Sequence, residues 1–154
     1  MALREILKFG EDALRKKCRP VTVFDNRLAT LLDDMRETLQ SADGAGLAAP
    51  QVGILRRAVV IDVHDKHGMI ELVNPEIISE EGVQVADEGC LSAPNEWCRV
   101  ERPNVVTVRA YDRFGKEFTL TGRDLLARAI CHEVDHLDGI LFTDRVKSEI
   151  PTRK

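Results

Sequence analysis

The run TGRDLLARAICHEVDHLDG at residues 121–139 contains His132-Glu133-Val134-Asp135-His136, and its reading decides the fold. Leu125, Ala129, His132 and His136 fall at i, i+4, i+7 and i+11, the spacing of one helical face. Thr121 is the expected N-cap, Asp124 follows three residues on, and Gly139 is placed to end the helix. Residues four apart lie about 40° apart around a helix, so both imidazoles can reach one metal ion. Glu133 lies about 100° round from His132 and can act as a base on a water without ligating the ion. Favourable contact of two histidines with the helix dipole would explain the same letters. It does not explain why both continue an apolar stripe, where a buried imidazole needs a partner.

A catalytic ion of this type needs a third protein ligand. The downstream pattern follows HExxHxxGxxH only as far as Gly139, because Phe142 stands where the last histidine would be. Glu149 is a weak candidate further on. Upstream, Cys90 in Glu88-Gly89-Cys90-Leu91-Ser92 is the best placed soft donor. A lone cysteine is also commonly a small buried hydrophobe, and a thiol beside a histidine base can be a nucleophile; the residues alone leave all three readings open.

Working outward, Leu28, Leu31, Leu32, Met35 and Leu39 mark an amphipathic helix behind Asp25 or Asn26 as N-cap, ending near Asp43-Gly44. A shorter helical piece is expected over Glu11 to Lys17. From Arg57 to Tyr111 the pattern becomes strand-like. Ala58 to Ile61 is a continuous apolar run that reads as buried on both faces, while Val83/Val85 and Val106/Val108/Ala110 alternate. Asp112-Arg113-Phe114-Gly115 has turn chemistry between strands at Val105 to Tyr111 and Glu117 to Leu120. Asp87 to Pro103 shows no clean period and is expected to be irregular. The class is α+β: a mainly antiparallel sheet around a C-terminal HExxH helix, with an N-terminal amphipathic helix.

Gly44-Ala45-Gly46-Leu47-Ala48-Ala49-Pro50-Gln51 contains GxGxxA, but a dinucleotide site needs a strand before the glycines and a helix after them. Here a helix precedes and Pro50 interrupts. A bend that lets a substrate backbone approach at Gly44 and Gly46, with Gln51 as amide donor, fits better. A helix C-cap at Gly44 running into a core strand is compatible with it. His64 and His67 flank Asp65 and Lys66 in a solvated turn. Cys18, Cys98 and Cys131 read as packing residues.

The 154 residues form one expected domain, with enough length to bury on the order of 68% of the unfolded surface. Lys+Arg 22 against Asp+Glu 26 gives a net charge of -4, which supplies no field for phosphate backbones and argues against a nucleic-acid partner. No apolar stretch is long enough to span a bilayer, so no membrane partner is expected. The opening MALREILKFGED is interrupted by charge before any signal-peptide core develops, which points to the cytoplasm and reduced thiols.

Taken together, GAGLAAPQ at 44–51, EGCLS at 88–92 and HEVDHLDG at 132–139 resemble the three motifs of peptide deformylases, in order and over nearly the whole chain. The opening Arg4-Glu5-Ile6-Leu7 with Gly10 and Leu14-Arg15 is also similar. The resemblance implies removal of the N-formyl group from formyl-methionyl nascent chains, close to the ribosome. It implies Cys90, His132 and His136 as metal ligands, Glu133 as general base and acid, and Gln51 with the Leu91 backbone N–H as donors to the developing oxyanion. Gly46 and Gly89 match backbone positions that hold the peptide as an added strand. Fe²⁺ is the implied ion, with Zn²⁺, Ni²⁺ or Co²⁺ able to occupy the same site. Many members carry glutamine where Cys131 stands and arginine where Trp97 stands, and a C-terminal helix that is not expected here. Two other readings share the HExxH: a zinc endopeptidase, and a catalytically silent peptide-binding metal domain.

Overall fold

The computed structural model describes residues 2–146. Glu149 therefore lies outside the described residues. The first long element, α1 (Asn26–Ala42), begins where Asp25 accepts hydrogen bonds from the Arg27 and Leu28 N–H groups, and ends at Asp43 in the left-handed conformation. All five stripe residues, Leu28 to Leu39, are buried. The helical piece expected at Glu11 to Lys17 is a single 3-10 turn, Asp12–Arg15.

After α1 the chain forms β1 (Gly46–Ala48), a 3-10 turn (Ala49–Val52), β2 (Ala58–Ile61), β3 (Ile70–Glu81), β4 (Gln84–Cys90), β5 (Ala93–Arg102), β6 (Val105–Tyr111) and β7 (Glu117–Arg123). The helix α2 (Leu125–Leu137) and a 3-10 turn at Phe142–Arg145 follow. Five strands make an antiparallel sheet in the order β1-β2-β3-β6-β7, and β4 and β5 pair separately as a hairpin. The continuous run of β2 follows from this layering: Val59 and Ile61 pack toward α2, while Ala58 and Val60 pack toward α1. Both faces of the sheet are covered, so no polar face is needed.

Two expectations are corrected. The stretch Asp87 to Pro103 is not irregular: it carries the end of β4 and all of β5. Its strand period is hidden because Glu88 and Arg102 are buried as charges where apolar residues would be expected. The helix begins at Leu125 and not near Thr121, which belongs to β7 and shares a hydroxyl contact of 2.9 Å with Thr107. Gly122 lets β7 pass close beneath the helix, since a Cβ there would lie 2.7 Å from Leu126. The buried face starts at Leu126, and Leu125 is 54% exposed. The β6–β7 turn is as read, extended to Lys116: Asp112 Oδ1 accepts from Phe114 and Lys116 N–H.

Candidate metal centre

His132 and His136 sit one turn apart on the buried face of α2, 6% and 1% exposed. Cys90 closes β4, pairing with Ala93 across a two-residue turn that holds Leu91 and Ser92. These placements bring one donor atom from each of Cys90, His132 and His136 within 4.8 Å of one another. Cys90 Sγ is 3.4 Å from His136 Nε2. Ligands bound at about 2.0–2.3 Å around a tetrahedral ion lie roughly 3.3–3.8 Å apart, so small side-chain closure completes the set. Two imidazoles and a thiolate suit a borderline divalent ion such as Fe²⁺ or Zn²⁺. Phe142, at the position that ended the HExxHxxGxxH pattern, packs on the His132 ring with centroids 5.9 Å apart.

His132 is oriented by its other nitrogen: Nδ1 lies 2.6 Å from Glu88 Oε1, which leaves Nε2 available to an ion. Glu88 is 5% exposed. It accepts from Arg102 Nε at 3.1 Å and Nη2 at 2.6 Å, and from Arg128 Nη1. Burial disfavours this carboxylate, but the bonds and charges of His132 and Arg102 outweigh it and hold its pKa down to about 2. Arg102 in turn donates to Asp135, which also accepts from Arg145. Among the described residues His136 Nδ1 is buried without a hydrogen-bond partner, so packing and the Nε2 contact with Cys90 hold that ring. Burial, and then the charge of His132, push His136 well below the ordinary histidine value, which keeps it a neutral electron-pair donor.

Glu133 is 4% exposed, with Oε2 4.0 Å from His132 Nε2 and Oε1 buried without a partner among the described residues. Burial, opposed by the charge of His132, pushes its carboxyl up to about 7. A carboxyl with that value exchanges protons readily at neutral pH. Gly46 approaches so closely that a Cβ on it would lie 2.5 Å from Glu133 Oε2. Gln51 is 1% exposed, and its Oε1 accepts the Ala48 N–H at 2.9 Å. That bond turns Nε2 toward the centre, 3.1 Å from Ser92 Oγ and 3.5 Å from Cys90 Sγ. The N-terminal segment braces both residues, through Leu7 N–H to the Gln51 carbonyl and Phe9 N–H to the Ser92 carbonyl.

A cavity of about 430 Å³ opens beside the centre, lined by Gly44, Gly46, Gly89, Leu91, Trp97 and Glu133 among others. It lies between β1, which among the described residues pairs only with β2, and β4, which pairs only with β5. Two strand edges flanking one cavity can hold an extended peptide by main-chain bonds. Trp97 lies against Gly89, where a Cβ would come within 2.9 Å of the ring.

The profile of the polypeptide deformylase family matches residues 3–151. The chain belongs to the polypeptide deformylase family. It is 61% identical over 146 residues to a peptide deformylase of Caldicellulosiruptor bescii, covering 95% of this chain and 87% of that protein. Its structure is similar to a crystal structure of peptide deformylase from Thermotoga maritima, with a TM-score of 0.93 at 39% identity, covering 96% of this chain and all of that one. A Legionella pneumophila peptide deformylase gives a TM-score of 0.91 at 48% identity, covering 95% and 87% of the two chains.

The structure gathers Cys90, His132, His136, Glu133, Gln51, Leu91, Gly44, Gly46 and Gly89 at one place. His64 and His67 stay apart from it as exposed turn residues bonded to Asp62 and Asp65. Cys18 and Cys131 are buried, as packing residues should be, and Cys98 is half-buried. α1 ends at Ala42 with Asp43, not Gly44, as its C-cap, and a strand at Gly46–Ala48 follows, so a helix precedes the glycines and the dinucleotide alternative has no footing. Sequence reasoning missed Glu88 as a partner of His132. Its signal was available, because a ligating histidine needs an acceptor on its second nitrogen and a carboxylate stands two residues before Cys90. Arg102 and Arg128 carried no such signal, since arginines on a strand and a helix ordinarily read as solvated.

Proposed function

We propose that Cys90, His132 and His136 hold one divalent metal ion, and that Glu133, Gln51 and the Leu91 backbone N–H act beside it on the N-formyl group of formyl-methionyl peptides. The chain is a metal-dependent hydrolase that removes this group and releases formate. The observation that carries the assignment of residues is the convergence of the three donors beside a buried carboxylate with a free oxygen. A divalent ion held by Cys90, His132 and His136 would supply Lewis-acid chemistry, lowering the pKa of water near it.

Glu133 accepts the proton the water gives up and returns it to the amide nitrogen as the C–N bond breaks, leaving formate and a free amine. Gln51 Nε2, fixed by the Ala48 bond, donates to the oxygen that gains charge, with the Leu91 N–H as second donor. Gly46 on β1 and Gly89 on β4 stand on the two strand edges that flank the cavity and would hold the peptide backbone, with Gly44 lining the same cavity. A formyl carbon bears only hydrogen beyond its amide, so a narrow site can exclude larger acyl groups.

Residues 1–154 act as a single hydrolase domain. Fe²⁺ is the working ion, with Ni²⁺, Co²⁺ or Zn²⁺ able to replace it. The substrates are nascent chains met near the ribosome in the cytoplasm. Among the described residues no helix is long and apolar enough to cross a membrane. A third donor upstream of the histidines separates this centre from an HExxH endopeptidase that takes its third ligand downstream. An oriented Gln51 amide and a buried base have no use in a silent binding module, whose structural site would close its coordination.

The test is metal content and formate release measured on the same preparations. Glu133→Ala should keep its metal and lose nearly all turnover, and Cys90→Ala should lose both. A metal-replete Cys90→Ala protein with near-normal rate would remove Cys90 from the ligand set.

A further inference from the structure

We propose that Arg128 is a positioning residue that joins the wall of the substrate cavity to His132 through Glu88, holding the two halves of the metal centre in register. The inference rests on the metal-centre assignment above. The ligands are divided between two elements that do not share a sheet or a helix: α2 carries His132 and His136, and the β4–β5 hairpin carries Cys90. Something must fix the distance between them.

Arg128 stands one turn before His132 on α2 and is 5% exposed, which is unusual for a helix arginine unless every donor has a task. Its guanidinium reaches across to the hairpin at three points. Nη1 donates to Glu88 Oε2, Nη2 to the Val100 carbonyl at 2.9 Å, and Nε to Gln84 Oε1 at 3.2 Å. Two of these acceptors lie on β4 and one on β5, so a single side chain pins α2 to both strands. Glu88 is the shared node: its Oε2 takes Arg128 and Arg102, and its Oε1 takes Arg102 and His132 Nδ1. Loss of Arg128 leaves Glu88 to Arg102 and His132 alone and removes the side chain that pins α2 to both strands of the hairpin.

Arg128 also lines the cavity beside Leu125 and Ala129, with its head engaged on the hairpin. Lysine cannot substitute, because one ammonium lacks the planar fork that serves acceptors on two strands. Methionine preserves most of the apolar wall and removes every donor.

The experiment compares wild type with Arg128→Met, Arg128→Lys and Arg128→Ala, each checked for folding by circular dichroism. Co²⁺ affinity is measured by chelator competition, ligand geometry by the visible spectrum of the Co²⁺ form, and kcat and KM with a formyl-Met peptide. Arg128→Met should weaken Co²⁺ binding about 10–100-fold, shift the spectrum and lower kcat, with KM within about twofold. Arg128→Ala should add a rise in KM, because the wall goes too. In a Glu88→Gln background Arg128→Met should have a smaller further effect, confined to its bonds to Val100 and Gln84, and an undiminished effect would overturn the route through Glu88. Arg128→Met with wild-type affinity, spectrum and kcat would overturn the proposal. If that variant does not fold, Arg128→Lys decides: a partial loss of affinity is expected, and wild-type values would show that the fork is not needed. Failure of the wild-type protein itself to bind Co²⁺ or release formate would refute the metal-centre assignment instead.

Discussion

Gly46→Ala places one methyl group against the proposed base. The added Cβ would lie 2.5 Å from Glu133 Oε2 and 2.9 Å from both Cδ and Cγ, where ordinary contact begins at 3.4 Å. The carboxyl must therefore retreat by about 1 Å. Pivoting only the carboxylate tip does not suffice, since Cγ is also too close. Glu133 is 4% exposed and borders the cavity, so the displaced carboxylate turns either against packed neighbours or into the space proposed for the substrate, and in both cases leaves the position from which it would take the proton. A misplacement of about 1 Å in a reacting group costs on the order of 10²-fold in rate. Glu133 is not a proposed ligand, and Gly46 lies in an edge strand whose pairing with Ile61 does not depend on a side chain. The expectation is a kcat lower by about 10²-fold with full metal content and a folded protein destabilised by about 1–3 kcal/mol through the overpacking. Formate release coupled to formate dehydrogenase measures the rate, and plasma mass spectrometry the metal. A metal-replete Gly46→Ala protein within about threefold of wild-type kcat would refute the placement of Glu133 as the proton carrier.

Gln51→Ala should retain metal and lower the rate about 10²-fold or more, as the loss of an oxyanion donor does; an unchanged rate removes Gln51 from that role. The Fe²⁺ form, reconstituted without oxygen, should be much more active than the Zn²⁺ form and decay in air, while Ni²⁺ or Co²⁺ forms persist. Mass spectrometry after exposure should find oxygen on Cys90 before Cys18, whose thiol burial pushes up to about 11. Equal Zn²⁺ and Fe²⁺ rates would argue against iron. Away from the site, burial raises the Glu71 carboxyl, but hydrogen bonds from Arg113 and Arg36 outweigh it and hold the pKa below its usual 4.5. Its stabilisation is thus present above pH 4.5 and lost as pH falls through the folded value. Glu71→Gln should lower stability at pH 7 by about 1 kcal/mol, and the gap to wild type should close in acid. A gap constant across that range would contradict the pairing.

The helices were legible because their periods are clean: Leu28 to Leu39 form an unbroken stripe, and every one of these side chains is buried. β2 was legible for a different reason, since helices on both faces leave no polar side to interrupt Ala58 to Ile61. The β4–β5 hairpin was not. Its interior holds the Glu88–Arg102 ion pair, so charge sits where the strand pattern needs apolar residues. That pair is visible only once Arg102, fourteen residues downstream, is brought against Glu88 by the hairpin register. The start of α2 was misjudged because Thr121 has the chemistry of a cap, whereas cross-strand pairing with Thr107 claims it for β7. Within the site, two histidines at helical spacing point to one ion by local geometry alone. The third donor comes from an element with no local signal, and spacing could not choose among a ligand, a nucleophile and a packing cysteine.

The most direct test of the account offers the metal-reconstituted protein three peptides of one sequence, formylated, acetylated and free at the N-terminal methionine. Mass spectrometry follows the peptides, and an enzymatic assay follows formate. The account predicts one formate for each formylated peptide consumed, a product lighter by one CO with every internal peptide bond intact, and no change in the acetylated or free peptides. Internal cleavage without formate, or removal of the acetyl group at a comparable rate, would contradict it.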